Sequence, residues 1–429
     1  MAVRHHRPVR RGLTGAVSAL ALLVLAGCGT TPSAGPDVGE KADTPSSSPT
    51  PTSKVSITSN VKQDAANVGV DRMVQLSATD GTLRKVLVHT LKGQKVTGGL
   101  NASQTRWTAT SRLEPGKKYV VQAVAEDSAG MTKTYASRFS TANLSLDEQT
   151  YPSVSPLSGS TVGVGMPIMI HFDVPVTDRK NFQKHMKVTS SAGQKGRFYW
   201  IDDQNVHYRP PHYWKPGSRI TVDVAVNSVS AGNGIYGQED RKVSFAVARS
   251  MVSKVNIQTH QMKVFRDGRL VRTIPITTGE QPKFTTRSGI KVIVEKFRHK
   301  RMNSETIGID PNSADGYDLD DVEYAMRVTY SGEFIHAAPW SVGSQGSANV
   351  SHGCTGMSTA NAEWFFNTIH EGDVVKVVNS NGDTMEPFGN GFGDWNLAWK
   401  QWRQGSALVA GTPDGPSPED AARLRPQSV

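Results

Sequence analysis

A chain of 429 residues is too long for one ordinary hydrophobic core and points to about three domains. Hydrophobic residues make up 37%, which excludes a chain disordered throughout; 40 glycines and only 7% aromatics favour turn-rich β-structure over helical bundles. The formal net charge of +10 is spread thinly beyond four arginines near the start, with no basic block interleaved with aromatics. Nucleic acid is therefore not an expected partner, whereas an anionic wall or membrane would attract such a surface weakly.

Arg4, Arg7, Arg10 and Arg11 precede an apolar run, Leu13–Ala26, that is short for a membrane span and suits a signal peptide. The run ends in Leu25-Ala26-Gly27-Cys28, which resembles the bacterial lipobox. Residues 1–27 then read as a lipoprotein signal and Cys28 as the lipidated first residue. The expected location is outside the cell, tethered to the outer face of the cell membrane and reaching into the wall. An uncleaved anchor with an incidental Cys is the alternative. Residues 28–52 are rich in Pro, Ser, Thr and Gly and read as a disordered linker.

Residues 53–143 alternate apolar and polar positions in KVSITS, MVQLSAT, KVLVHT, RWTATS, KKYVVQAVAED and TYASRFST. Asp80-Gly81, Lys92-Gly93, Pro115-Gly116 and Ala129-Gly130 separate them as turns. Residues 144–248 repeat this character with PIMIHFDVPV, RFYWID, NVHYRP, RITVDVAV and KVSFAV. Lys215-Pro216-Gly217 echoes Glu114-Pro115-Gly116, each just before a strand. Two tandem immunoglobulin-like β-sandwiches are the simplest reading, without the antibody disulfide, since neither segment has a Cys.

A third unit, residues 249–379, starts with VSKVNIQTH and QMKVFRDGRLVRTIPITTG, hinged at Asp267-Gly268. GIKVIVEKF, YAMRVTYSG and EFIHAAP follow as strands, with residues 299–316 between them as a polar, irregular loop or lid. A helix runs from N-cap Ser358 to about Ile369, and DVVKVVN closes the unit as a strand. Residues 380–410 carry Trp395, Trp399 and Trp402 at helical spacing. They are expected to pack this end onto the third unit, a sugar platform being the alternative. Residues 411–429 read as a disordered tail.

Chemistry concentrates in His336-Ala337-Ala338-Pro339-Trp340 and Ser351-His352-Gly353-Cys354. The chain has two Cys, and lipid on Cys28 leaves Cys354 without an intramolecular partner. A thiol becomes a strong nucleophile when a neighbouring base takes its proton, and two His lie close in sequence. Gly353 lets the backbone approach a carbonyl, and the N–H groups of Gly353 and Cys354 are candidate oxyanion donors. A structural Cys with two surface His is one alternative. A zinc site formed by His336, His352 and Cys354 is another, though no further spaced ligand is evident.

These residues resemble the signature of the L,D-transpeptidase catalytic domain: a His, a spacer, Ser/Thr-His-Gly-Cys, a hydrophobic residue and Asn. The match is at His336, Ser351, His352, Gly353 and Cys354, over about 250–379. The string IHAAPWSVGSQG, two preceding β-modules, the lipobox and the Trp-rich end are similar to the mycobacterial-type enzymes. The resemblance implies a mainly β catalytic sandwich in which Cys354 is the nucleophile, His336 the general base, oriented by a backbone carbonyl, and His352 a residue that shapes the site. It implies attack on the third residue of a tetrapeptide stem, loss of D-alanine, a thioester, and 3→3 crosslinking of peptidoglycan. Tyr317, Ser331, Gly332 and Asn349 would line the donor groove, with Ser351 in the motif and Trp340 at the border. No metal or organic cofactor is implied, and carbapenems would acylate Cys354. Thr355 and Gly356 depart from the usual hydrophobic residue and Asn. Alternatives at the same site are an L,D-carboxypeptidase and a transferase that attaches protein to the wall. A non-catalytic wall-binding lipoprotein is a further one.

Overall fold

The computed structural model describes residues 52–408. The signal segment, Cys28, the linker up to residue 51 and the chain from residue 409 lie outside the described residues. Among the described residues no helix is long and apolar enough to cross a membrane.

The first module is two four-stranded sheets face to face. One orders Ser56–Ser59, Gln75–Thr79, Arg106–Ala109 and Gly98–Leu100; the other Ala65–Val68, Thr132–Thr141, Lys118–Glu126 and Thr82–Thr90. Strict period-two alternation turns Tyr119, Val121, Ala123 and Ala125 inward from one strand, against Leu76, Trp107 and Phe139. Gly98–Leu100 carries no alternation because all three of its residues are exposed, which is why the sequence pattern passes over it.

The second module pairs Pro152–Ser155, Ile168–Phe172, Asn205–Arg209 and Arg197–Trp200 in one sheet. Thr161–Val162, Arg241–Val247, Arg219–Val224 and Met186–Ser190 form the other. Phe172, Trp200 and Trp214 fill its core, which continues into Val292, Val294, Val374 and Phe392 of the following segments. At that seam Gly163 donates its N–H to the Glu371 carbonyl at 2.7 Å. A Cβ on Gly163 would stand 2.1 Å from the Asp373 nitrogen, so only glycine permits the approach.

The third unit is again two sheets. A five-stranded sheet orders Arg269–Pro275, Gln261–Arg266, Met251–Asn256, Val374–Val378 and Gly289–Val292. A four-stranded one orders Glu295–Asn303, Asp318–Arg327, Phe334–Ala337 and Thr355–Met357. Asp267 and Gly268 both take positive φ, 50° and 79°, the two-residue hairpin turn that matches strand twist. The apolar run GIKVIVEKF is two strands, not one: the chain changes sheets at Ile293-Val294, both buried. The expected loop 299–316 is likewise partly strand, since Glu295–Asn303 extends into it. The helix Thr359–Thr368 follows N-cap Ser358, whose side chain accepts from the Asn361 N–H at 3.4 Å.

The Trp-rich segment corrects the expected packing. Trp395, Trp399 and Trp402 close on Arg209 of the second module, with the guanidinium carbon 4.8, 5.5 and 4.4 Å from the three rings. Arg209 also donates to the Leu397 carbonyl at 2.6 Å. The indole N–H groups of Trp395 and Trp402 donate to Gly165 and Arg197 carbonyls. The same segment reaches the five-stranded sheet of the third unit through Asn396, which accepts from the Ile290 N–H and donates to the Ile290 carbonyl, both at 2.7 Å. It therefore straps the second module to the third unit. The helix Trp399–Trp402 has four residues, so the spacing of the three Trp does not define one helical face.

Candidate active site

Two adjacent strands bring the chemistry together. Phe334–Ala337 and Thr355–Met357 pair in parallel, with His336 opposite Gly356 and Ile335 opposite Thr355. Cys354 lies immediately before the second of these strands. A parallel pair needs a long crossover, and residues 338–354 supply it, which is why the His and Cys are far apart in sequence yet neighbours in the sheet. His336 is 5% exposed. Its Nδ1 is 2.7 Å from the Ala337 carbonyl; a carbonyl accepts only, so Nδ1 carries the proton and Nε2 is the free base. Burial holds the His336 imidazole below the ordinary histidine value, opposed by the Ala337 carbonyl. Neutral imidazole, the form able to accept a proton, is thus favoured.

Cys354 is partly buried among Met302, Phe334, Tyr317 and Leu319. Burial pushes its thiol up to about 12; the Phe334 backbone N–H favours the thiolate, Glu333 opposes it and Lys291 favours it. The thiol is 3.6 Å from the Gly332 carbonyl. Burial thus disfavours the charged form of both the thiol and the imidazole.

A pocket of about 330 Å³ opens over these groups, lined among others by Tyr317, His336, Trp340, Ser351, His352 and Cys354. The His352 ring sits between Phe284, with centroids 4.3 Å apart, and Tyr317, at 5.0 Å. Trp340 stacks on His336 at 5.9 Å and is 57% exposed. Burial first, and then the neighbouring Cys354, raise the Tyr317 phenol to about 12. Ser351 organises the turn: its Oγ donates to the Cys354 carbonyl at 2.6 Å and accepts the Gly353 N–H at 3.2 Å. The Gly353 N–H expected as an oxyanion donor is therefore already engaged. Gly353 adopts φ +120°, a conformation that favours glycine.

Two expected groove residues, Asn349 and Ser331, do not line the pocket. Asn349 is a structural pin: its Oδ1 accepts from the Thr278 N–H and hydroxyl, and its Nδ2 donates to the Ile257 carbonyl. Ser331 lies in the turn before Phe334–Ala337, its N–H on Asn390 and its hydroxyl on Thr329. Gly332 meets the site only through its carbonyl. Among the described residues no three His, Cys, Asp or Glu side chains gather to hold a metal ion.

Two family models match this chain. Residues 65–230 match the family described as bacterial Ig domain, and residues 250–377 match the L,D-transpeptidase catalytic domain. The chain is 36% identical over 351 residues to L,D-transpeptidase 2 of Mycobacterium tuberculosis (strain CDC 1551 / Oshkosh), covering 82% of this chain and 85% of that protein.

The chain belongs to the L,D-transpeptidase family.

A second relative of this transpeptidase, L,D-transpeptidase 5 of Mycobacterium tuberculosis (strain ATCC 25618 / H37Rv), is 30% identical over 80% of this chain and 75% of its own length. Among solved structures, LD transpeptidase LdtMt1 in complex with imipenem is 38% identical, covers 53% of this chain and 97% of its own, and has a TM-score of 0.46.

The departure at Gly356 has a local cause. Gly356 exchanges two hydrogen bonds with Thr277, each 2.9 Å. A Cβ there would lie 2.9 Å from Ala338 Cβ and 3.0 Å from Thr277 Cγ2. In this transpeptidase the position is closed to an Asn unless both neighbours move. Thr355 occupies the hydrophobic position and is 4% exposed. Sequence reasoning missed the pocket walls Thr277, Met302, Leu319 and Val350. It also missed Lys291 and Glu333, although a lysine inside the apolar run GIKVIV was a visible signal of a buried charge.

Proposed function

We propose that this transpeptidase joins peptidoglycan stems through a thioester on Cys354. Nε2 of His336 takes the thiol proton as sulfur attacks the carbonyl of the third stem residue. The carbon–sulfur bond forms, the amide bond to D-alanine breaks, and the imidazolium returns the proton to the leaving amine. A side-chain amine of a second stem then attacks the thioester. A new amide forms, giving a 3→3 crosslink, and sulfur regains its proton. His352 shapes the wall between Phe284 and Tyr317, and Trp340 borders the entrance.

The observation that carries this reading is that His336, on Phe334–Ala337, and Cys354, just before the parallel strand Thr355–Met357, line one pocket, with the imidazole tautomer set by Ala337. Carbapenems are expected to acylate the same sulfur; the related LdtMt1 is known in complex with imipenem. A lipid on Cys28 would hold the enzyme at the outer face of the membrane, with the two β-modules as a spacer into the wall.

Intact mass after incubation with a carbapenem tests the nucleophile: one adduct on Cys354 is expected, and its absence overturns the reading. A disaccharide-tetrapeptide substrate then separates acceptors. Dimers mean transpeptidation, tripeptides alone mean hydrolysis. For the anchor, the mature protein should carry a diacylglycerol mass on Cys28; an unmodified Cys28 in membrane extracts would exclude it.

A further inference from the structure

Behind Cys354 lies a pair of charges that the acyl-transfer steps do not use. Lys291 is 1% exposed and Glu333 6%. The Lys291 ammonium donates to Glu333 Oε2. Glu333 Oε1 accepts the Arg287 backbone N–H at 2.9 Å, and the Arg287 guanidinium stands 3.7 Å from the same oxygen. Lys291 belongs to Gly289–Val292 of the five-stranded sheet, and Glu333 immediately precedes Phe334–Ala337 of the four-stranded one. The ion pair thus ties the two sheets together at the level of the catalytic turn. Glu333 lies against that turn: a Cβ on Gly353 would be 3.6 Å from Glu333 Cγ and 3.9 Å from its Oε1.

A buried ion pair is a weak source of stability, because desolvating both charges offsets their attraction. Glu333 lies against Gly353, the residue before the proposed nucleophile, and that points to a different use. We propose that Glu333 and Lys291 set the ionisation of the Cys354 thiol: the carboxylate holds it protonated until a stem peptide enters, and the ammonium limits that hold. The proposal rests on the reading of Cys354 as the nucleophile. The other ionisable groups around the sulfur are His336 on Phe334–Ala337, Tyr317 before Asp318–Arg327, and His352 on the same turn. Arg287 lies beyond Glu333, with Glu386 3.5 Å from its Nε. At Cys354 the Glu333 influence exceeds that of Lys291. A protonated sulfur also resists oxidation, which proceeds through the thiolate.

The test is the pH dependence of Cys354 alkylation by iodoacetamide in the full chain, with the adduct located by peptide mapping. The double variant K291M/E333L keeps the space filled without charge, so it should fold and show a cooperative melt. Its alkylation midpoint should fall by about one pH unit, with about tenfold faster alkylation at pH 7. Of the single variants, E333Q should move the midpoint down and K291M up. A double variant that changes melting temperature but not the midpoint overturns the proposal, as do single variants that shift the midpoint the same way. Should a single variant fail to fold, the double variant decides alone. Alkylation needs no transpeptidation, so failure of the proposed function would appear separately, as normal alkylation without any acyl-enzyme.

Discussion

Replacing His336 by Gln removes the proposed base while keeping a side chain of similar reach in the pocket that Cys354 lines. With the thiol near 12, only about 10⁻⁵ of the enzyme carries a thiolate at pH 7. A route through preformed thiolate would therefore rise about tenfold per pH unit across the neutral range. Proton transfer to His336 during attack avoids that limit. The imidazole is held below the usual histidine value, so above that value it is neutral and the rate should be nearly flat up to pH 9. As pH falls through the lowered His336 value the base protonates and acylation declines. The H336Q variant should lose about 10²–10⁴-fold in acylation at pH 7. It should also acquire the steep, thiolate-limited profile absent from the wild type. Single-turnover acylation by a carbapenem, followed from pH 5 to 9.5, gives both profiles. A wild-type rate already rising tenfold per unit between pH 7 and 9, or an H336Q profile parallel to it, would refute the role of His336 as base.

Gly356→Asn should cost about 1–3 kcal/mol through overpacking against Thr277 and Ala338 and slow acylation; thermal melting and carbapenem kinetics measure both, and an Asn accommodated without loss contradicts the tight fit. Arg209→Ala should cost about 3–5 kcal/mol by stripping the three-Trp cage of its buried cation and the Leu397 carbonyl of its donor, with a red shift in tryptophan fluorescence. Asp373 sits at the seam with Gly163 and its carboxyl is raised to about 7, by burial first and against the His370 N–H, Arg249 and Lys296. A folded value above the unfolded one gives stability that is full below about pH 4 and lost as pH rises through 7. D373N should therefore match the wild type at pH 4 and exceed it at pH 8 by on the order of a few kcal/mol, read as denaturant midpoints; equal midpoints at pH 8 would contradict the seam assignment.

Much of the architecture was legible because strands buried on one face write their alternation into the sequence, as Lys118–Glu126 does. The Ser-His-Gly-Cys motif and the upstream His pointed to His336 and Cys354, and the fold brings both to one pocket. What the sequence hid depends on third dimensions. Gly98–Leu100 is too exposed to alternate, and GIKVIVEKF changes sheets within its apolar stretch at Ile293 and Val294, both buried. Asn349 and Ser331 read as groove residues, but neither lines the pocket, and their side chains bond Thr278, Ile257 and Thr329. The three Trp looked like packing for the catalytic unit; their partner, Arg209, is nearly 190 residues upstream and no local pattern names it. The Lys291–Glu333 contact likewise joins a strand of one sheet to the residue just before a strand of the other.

Cys354→Ala in the full chain, incubated with a disaccharide-tetrapeptide substrate beside the wild type, tests the central claim most directly. Mass spectrometry of the wild type should show an acyl-enzyme lacking D-alanine, confined to the Cys354 peptide, and muropeptide dimers linked 3→3; the variant should show neither. Dimers formed equally by the variant, or an acyl group on another residue, would contradict the account.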